Sequence, residues 1–474
     1  MKKLLSIILT LSVLLSFAAC GSQEPLYESA SEQESSISES NAEEPVQDEP
    51  KELSGSLTIA TDYVGDEFGG TQTLADGFMK KHSGVSITLT SPSSSTGSRP
   101  SVEDTENFFT QVGIEIASDS GPDLIFTVSN FYYEWTHSDI LLDINDIIAN
   151  DPSFDMNDYF SEVIKSQEIS GKLYAFPTGF DFYFQRIQQN AIDASGIDIR
   201  SKSYISYNQL FDIYNAAVAS GNVPELKSID MDSFAGQSFF IDAELATNFD
   251  EDSMSATYTS DAFKNYLTVT GEYDGGSGYG GFFANDYMEP FKNSMGMENK
   301  SFMVSRYGTF PDNVEYIMND YVGASEALPE ATSEGKVMVT EGACGIIPKA
   351  SKNTELAWEF IKYCIAESDT VTYTTDIGEW NGDRFSSSGI PINKKNFEKY
   401  YKVACEYVPE ETLSAYFDKV YAIADMPLER CIPSSRLNSS IVSVLRSYYE
   451  GTIDSDACAQ QVQDRAEIYF GEIS

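Results

Sequence analysis

The sequence predicts an α/β protein: a mostly parallel sheet covered by helices, followed by a second, aromatic-rich α/β lobe. From Leu57 onward, apolar residues switch repeatedly between strand and helix spacing. The links between these segments are short, which implies right-handed crossovers between parallel strands. At 474 residues the chain is long enough for two or three domains with real cores.

LTIAT, from Leu57, has the composition of a buried strand. Leu74, Ala75, Phe78 and Met79 then recur at helical spacing, Gly84 stops that helix, and VSITLT alternates as a second strand. Phe108, Phe109, Val112 and Ile116 form another helical stripe, which Gly121-Pro122 breaks before the third strand, DLIFTV. Open parallel sheets bind ligands beyond the carboxyl ends of their strands, here Asp62-Tyr63 and Asn130-Phe131. A further strand, GKLYAFP from Gly171 to Pro177, runs into TGFDFYF, and YNQLFDIYNAAV opens a new helical unit. The second lobe spans about Gln185 to Thr340; near the end, IVSVLRSYY and DACAQQVQDRAEIYF have the pattern of amphipathic helices.

Ahead of this body stands an export signal. Lys2 and Lys3 supply a positive start, Leu4 to Phe17 an apolar stretch too short to span a bilayer, and Ala18-Ala19 a small-residue cleavage site before Cys20. FAACGS resembles a bacterial lipoprotein signal. That resemblance implies loss of residues 1–19 and diacylglycerol on Cys20, anchoring the chain to the outer face of the cytoplasmic membrane; an ordinary secretory signal with a chance cysteine is the alternative. From Ser22 to Ser54 the chain is Ser, Glu, Gln and Pro, too poor in apolar residues to offset its ordering entropy. Such a tether spans roughly 30 Å root mean square, and its like charges extend it further.

The 30 basic and 74 acidic residues give a net charge of -44, a surface that repels nucleic acid and anionic headgroups alike. Besides Cys20, the five cysteines at 344, 364, 405, 431 and 458 lack zinc-site spacings; most suit small buried hydrophobes. His82 and His137 are the only histidines, and no HExxH, GxSxG, phosphate loop or dinucleotide fingerprint appears. A pair of carboxylates would suffice for a glycosidase, so hydrolysis stays open as an alternative. DINDIIANDPSFDMNDYF lacks the glycine and terminal glutamate of a calcium loop and is explained by helix capping. GEYDGGSGYGGFF is a flexible loop by composition.

The order of LTIAT, SGPDLIF, ISGKLYAFPTGFD, GIIPKASKNTELAWEFIKYCI and SSSGIPINKKNF resembles the extracellular solute-binding proteins of carbohydrate ABC importers, the group that includes maltodextrin-binding proteins. The resemblance implies a two-lobed periplasmic-binding-protein-like fold: two mostly parallel sheets covered by helices, joined by a hinge of several crossings. It implies lobe 1 at 55–184 plus about 341–402, and lobe 2 at about 185–340 plus 403–474. It further implies a monomer without cofactor or metal that holds a small solute, an oligosaccharide or related sugar, between the lobes and passes it unchanged to permease subunits. A peptide or polyol as cargo is the nearer alternative.

By position, the resemblance assigns ligand contacts to Asp62, Tyr63, Asn130, Phe131 and Asp181. At Asn130 and Phe131 it departs from the family's carboxylate and basic residue. Asp62 as a turn cap and Asp181 as a solvated loop charge are the structural alternatives. Trp358 lies on an apolar helical stripe and suits core packing, whereas Trp135 suits either the cleft or the core edge. Trp380, in GEWNGDRFSSSG, is a stacking candidate with Asp383 or Arg384 beside it. Tyr307 occupies roughly the place of a stacking aromatic in the second lobe.

Overall fold

The computed structural model describes residues 52–62, 64, 71–92, 100–187, 189–223, 243–250, 253–273, 303–307, 312–318, 326–366, 389–431 and 435–473. Its strands in chain order are β1 (Ser54–Thr61), β2 (Gly84–Thr90), β3 (Leu124–Thr127), β4 (Ala175–Pro177), β5 (Gly179–Ile187) and β6 (Ile205–Ser206), then β7 (Met303–Tyr307), β8 (Leu328–Ala331), β9 (Val337–Glu341), β10 (Cys344–Ile346), β11 (Ile390–Pro391) and β12 (Leu428–Arg430). A small hairpin pairs Phe249–Asp250 with Ser255–Ala256.

The first sheet has the order β2-β1-β3-β10-β4. β1 pairs parallel with β2 and β3, while β10 runs antiparallel between β3 and β4. Residues of β1 and β3 alternate between two cores, as expected of a sheet covered on both faces. Ala60 and Ile125 join Phe109, Tyr207, Leu445 and Val462. Leu57, Ile59 and Phe126 join Phe78, Phe180, Phe360 and Phe397. The helix Thr71–Lys81 buries Leu74, Ala75 and Phe78, and carries Lys80 and Lys81 at its negative end. Ser101 caps the helix Val102–Ala117 by accepting from the Asp104 N–H at 3.1 Å. The capping reading of the Asp-rich run also holds, with Asp143 and Asp155 accepting from the Asn145 and Asn157 N–H groups.

The second sheet has the order β11-β5-β8-β9-β12, with β6 and β7 alongside. It is mixed in direction. β5 runs antiparallel to β7, β8, β9 and β11, whereas β9 and β12 are parallel. All nine residues of β5 are buried, so the strand lacks the alternation that would reveal its partners in sequence. The expected strand at 171–177 is shorter than its apolar run. Ser170 and Gly171 take positive φ values of 50° and 73°, and Ile169 pairs with Lys172 in a turn, so only Ala175–Pro177 joins the sheet.

Two chain segments cross between the sheets side by side. Thr178, between β4 and β5, donates both its N–H and its hydroxyl to the Ala343 carbonyl at 2.8 Å. Gly342, between β9 and β10, donates to the Gly179 carbonyl at 2.8 Å. A third segment, just past β11, lies against them: Ile392 donates to the Thr178 carbonyl at 3.1 Å. These crossings join the two lobes and form the hinge. Trp358 is in the core, as its stripe predicts: it packs against Phe154 and Phe176 and donates its indole N–H to Asp151 at 2.8 Å. Trp135 is at the core edge, tilted against Phe109.

One carboxyl group in the second lobe is costly to the fold. Glu244 is 4% exposed, its Oε1 has no partner among the described residues, and burial pushes its pKa up to about 7. A carboxyl raised in the folded state stabilises below its unfolded value, and that contribution is lost as pH rises through about 7. Glu244→Gln is therefore expected to gain stability over the wild type between pH 5 and pH 8, by at most about 3 kcal/mol. Urea unfolding at the two pH values measures this, and identical pH dependence in both proteins would refute it.

Candidate functional site

The carboxyl ends of β1 and β3 meet the hinge at one place. Asp62 follows β1, and its Oδ2 accepts the N–H of Val128, just past β3, at 2.7 Å. This charge-assisted bond ties the two strand ends together. Oδ1 of the same carboxylate is buried and has no hydrogen-bond partner among the described residues. A buried acceptor left without a donor costs about 1–3 kcal/mol, so the position favours anything that brings one.

After β3 the chain turns through a single 3-10 turn, Asn130–Tyr132. Tyr132 is buried, and its hydroxyl donates to Glu341 at 3.2 Å to Oε1 and 3.3 Å to Oε2. Glu341 ends β9, immediately before the Gly342 crossing. Arg430 ends β12 and holds its guanidinium 5.8 Å from the centre of the Tyr133 ring, a cation–π distance. Thus a first-lobe turn, a crossing and a second-lobe strand meet in one polar group.

Burial pushes the Glu341 carboxyl above its ordinary pKa, and the Arg430 charge and the Tyr132 hydrogen bond only partly counter it. Tyr132 is raised well above its usual value by burial and then by the Glu341 charge. The Cys344 thiol is likewise pushed well up by burial, then by Glu341 and Asp62. A thiol in that state is protonated at neutral pH and is a poor nucleophile. Cys344, Cys364, Cys405 and Cys458 are all buried, in keeping with their reading as small hydrophobes.

Asp62 and Asn130 are both partly buried and follow the paired strands β1 and β3. Phe131 is close by, but its ring stacks on Phe109 at 5.4 Å and 21°. Asp181 is not the loop charge of the alternative reading. It lies within β5, 7% exposed, accepts the Phe182 N–H at 2.7 Å, and is close enough to the buried Tyr401 and Tyr416 to help raise their pKa values. Tyr307 ends β7 in register with Tyr183. Cys20, Tyr63, Trp380, Asp383 and Arg384 lie outside the described residues.

Sequence reasoning missed Tyr132, Glu341, Arg430 and the exposed Val128. Tyr132 had a usable signal, since it directly follows the strand end at Asn130-Phe131.

Two mixed sheets, joined by paired crossings with polar groups gathered beside them, define a two-lobed binding protein. The profile of the bacterial extracellular solute-binding proteins matches residues 61–370, and the chain belongs to that family. No curated protein matches its sequence. Solved structures share its fold. An extracellular solute-binding protein family 1 member from Alicyclobacillus acidocaldarius is 15% identical, with a TM-score of 0.54, covering 88% of this chain and 98% of its own. An ABC substrate-binding protein from Listeria monocytogenes, in complex with cycloalternan, is 12% identical, with a TM-score of 0.53 and coverages of 88% and 100%. The sugar-binding protein MalE from Xanthomonas citri is 13% identical, with a TM-score of 0.53 and coverages of 88% and 98%. At these identities the likeness concerns the fold.

Tyr132→Phe removes a donor from a buried carboxylate while keeping the ring. It should lower unfolding stability by about 1–3 kcal/mol. The urea midpoint measures this, and an unchanged midpoint would show that the Tyr132–Glu341 bond contributes nothing net.

Proposed function

We propose that the chain is a lipid-anchored receptor that captures an oligosaccharide or related sugar between its lobes and delivers it, unchanged, to the membrane subunits of an ABC importer. The observation that carries this reading is Oδ1 of Asp62 at the carboxyl ends of β1 and β3, buried and without a hydrogen-bond partner among the described residues. A hydroxyl-rich solute would supply the missing donor. Family membership and the sugars named with two of the similar structures support the same cargo class.

The energetics favour a closing cleft. A micromolar dissociation constant corresponds to about -8 kcal/mol, while association itself costs something like 4–15 kcal/mol. Hydrogen bonds to a charged partner contribute about 1.5–3 kcal/mol each, so several contacts are needed and one open wall supplies too few. Two lobes shutting on the ligand provide them. Asp62 and Asn130 would serve from the first lobe. Delivery without chemistry fits a strand-end site whose thiol, Cys344, is held protonated.

Titration of intrinsic tryptophan fluorescence with a panel of neutral oligosaccharides should give saturable binding, weakened at least tenfold by Asp62→Ala. A peptide or polyol that binds in place of every sugar would redirect the cargo, and sustained release of shorter sugars would make the protein a hydrolase.

The anchor rests on FAACGS and the acidic stretch after it. Labelled palmitate should enter the wild-type protein in cells. Cys20→Ser should lose the label and appear in the medium; equal labelling of both would remove the anchor from this proposal.

A further inference from the structure

Val128 is 58% exposed, although β3, which leads into it, is buried at every residue. Its backbone N–H is held by Asp62 Oδ2, which puts the residue next to a carboxylate whose other oxygen has no hydrogen-bond partner among the described residues. An exposed β-branched side chain fixed by its own backbone loses little freedom when a ligand covers it. An apolar surface adjoining a buried acceptor matches a pyranose unit, which has a C–H face and a hydroxyl edge. The charges nearby narrow the class. Asp62 and Glu341 are both carboxylates, against one guanidinium at this place among the described residues, that of Arg430, 5.8 Å from the centre of the Tyr133 ring.

We propose that Val128 is a specificity-determining contact, covering the C–H face of a sugar unit while Asp62 Oδ1 accepts a hydroxyl proton from the same unit, and that this pair selects neutral over anionic saccharides. The inference rests on the receptor reading above and deepens it. Val128→Thr keeps the shape and adds a hydroxyl; Val128→Ala removes the covering methyl groups. The site is exposed, so neither change should disturb folding, and unchanged thermal midpoints would verify that.

The experiment is calorimetric titration of wild-type, Val128→Ala and Val128→Thr proteins with maltotriose, cellotriose, mannotriose and trigalacturonate. At least one neutral trisaccharide is expected to bind the wild type, with trigalacturonate at least tenfold weaker. Val128→Ala should weaken the neutral ligand about fivefold, and Val128→Thr should weaken it in the same direction. Affinities within twofold of wild type in both variants would overturn the role of Val128 while leaving the receptor reading intact. Trigalacturonate as the tightest ligand would overturn the selection for neutral sugars. Failure of every saccharide to bind would overturn the receptor reading and this inference together.

Discussion

The structure depends on a set of backbone hydrogen bonds at the point where the chain passes between its two sheets. Thr178, Gly179, Gly342 and Ala343 lie side by side there, bonded to one another through their main chains. All four residues are small, and the third segment needs a glycine. Gly389 takes φ +124°, and a Cβ at that position would come within 2.5 Å of the Phe180 carbonyl oxygen. Close approach lets three segments share one narrow connection, bonded to one another through main-chain groups. Such a connection holds the lobes together and can still flex through a few backbone angles.

The site inherits its geometry from that connection. Glu341 is the last residue of β9 before the crossing, and it carries the Tyr132 hydrogen bond from one lobe while Arg430 approaches from the other. Any rotation at Gly342–Ala343 therefore moves Tyr132 relative to Glu341 and Arg430, which stay together on the paired strands β9 and β12. A ligand favours closure only by binding the closed arrangement more tightly than the open one. Asp62 is suited to that role, because one of its oxygens is committed to the Val128 N–H and the other is not.

The legible parts of the sequence are those whose interactions are local. β1, β2, β3 and the helices between them show their periods directly, since each packs on its chain neighbours, and Asp62 could be found because it follows the first strand of such a unit. Long-range choices were hidden. β10 inserts antiparallel into the first sheet after a return of more than two hundred positions, and the Tyr132–Glu341 bond spans 209 residues. β5 is uniformly buried and has no polar face to betray its antiparallel neighbours. Asp181 illustrates the same difficulty: a charge four residues beyond a proline looks like a loop residue, yet the pairing of β5 with β9 places it inside the second lobe.

The charge of the whole chain bears on which solute such a site can capture. A net charge of -44 over the full sequence makes the surface potential negative overall, and at physiological salt such a potential decays over about 8 Å. A neutral sugar feels almost none of it and arrives by ordinary diffusion, while an anion is opposed during the last steps of approach and again by Asp62 and Glu341 at contact. An acidic body and a neutral cargo are therefore physically consistent.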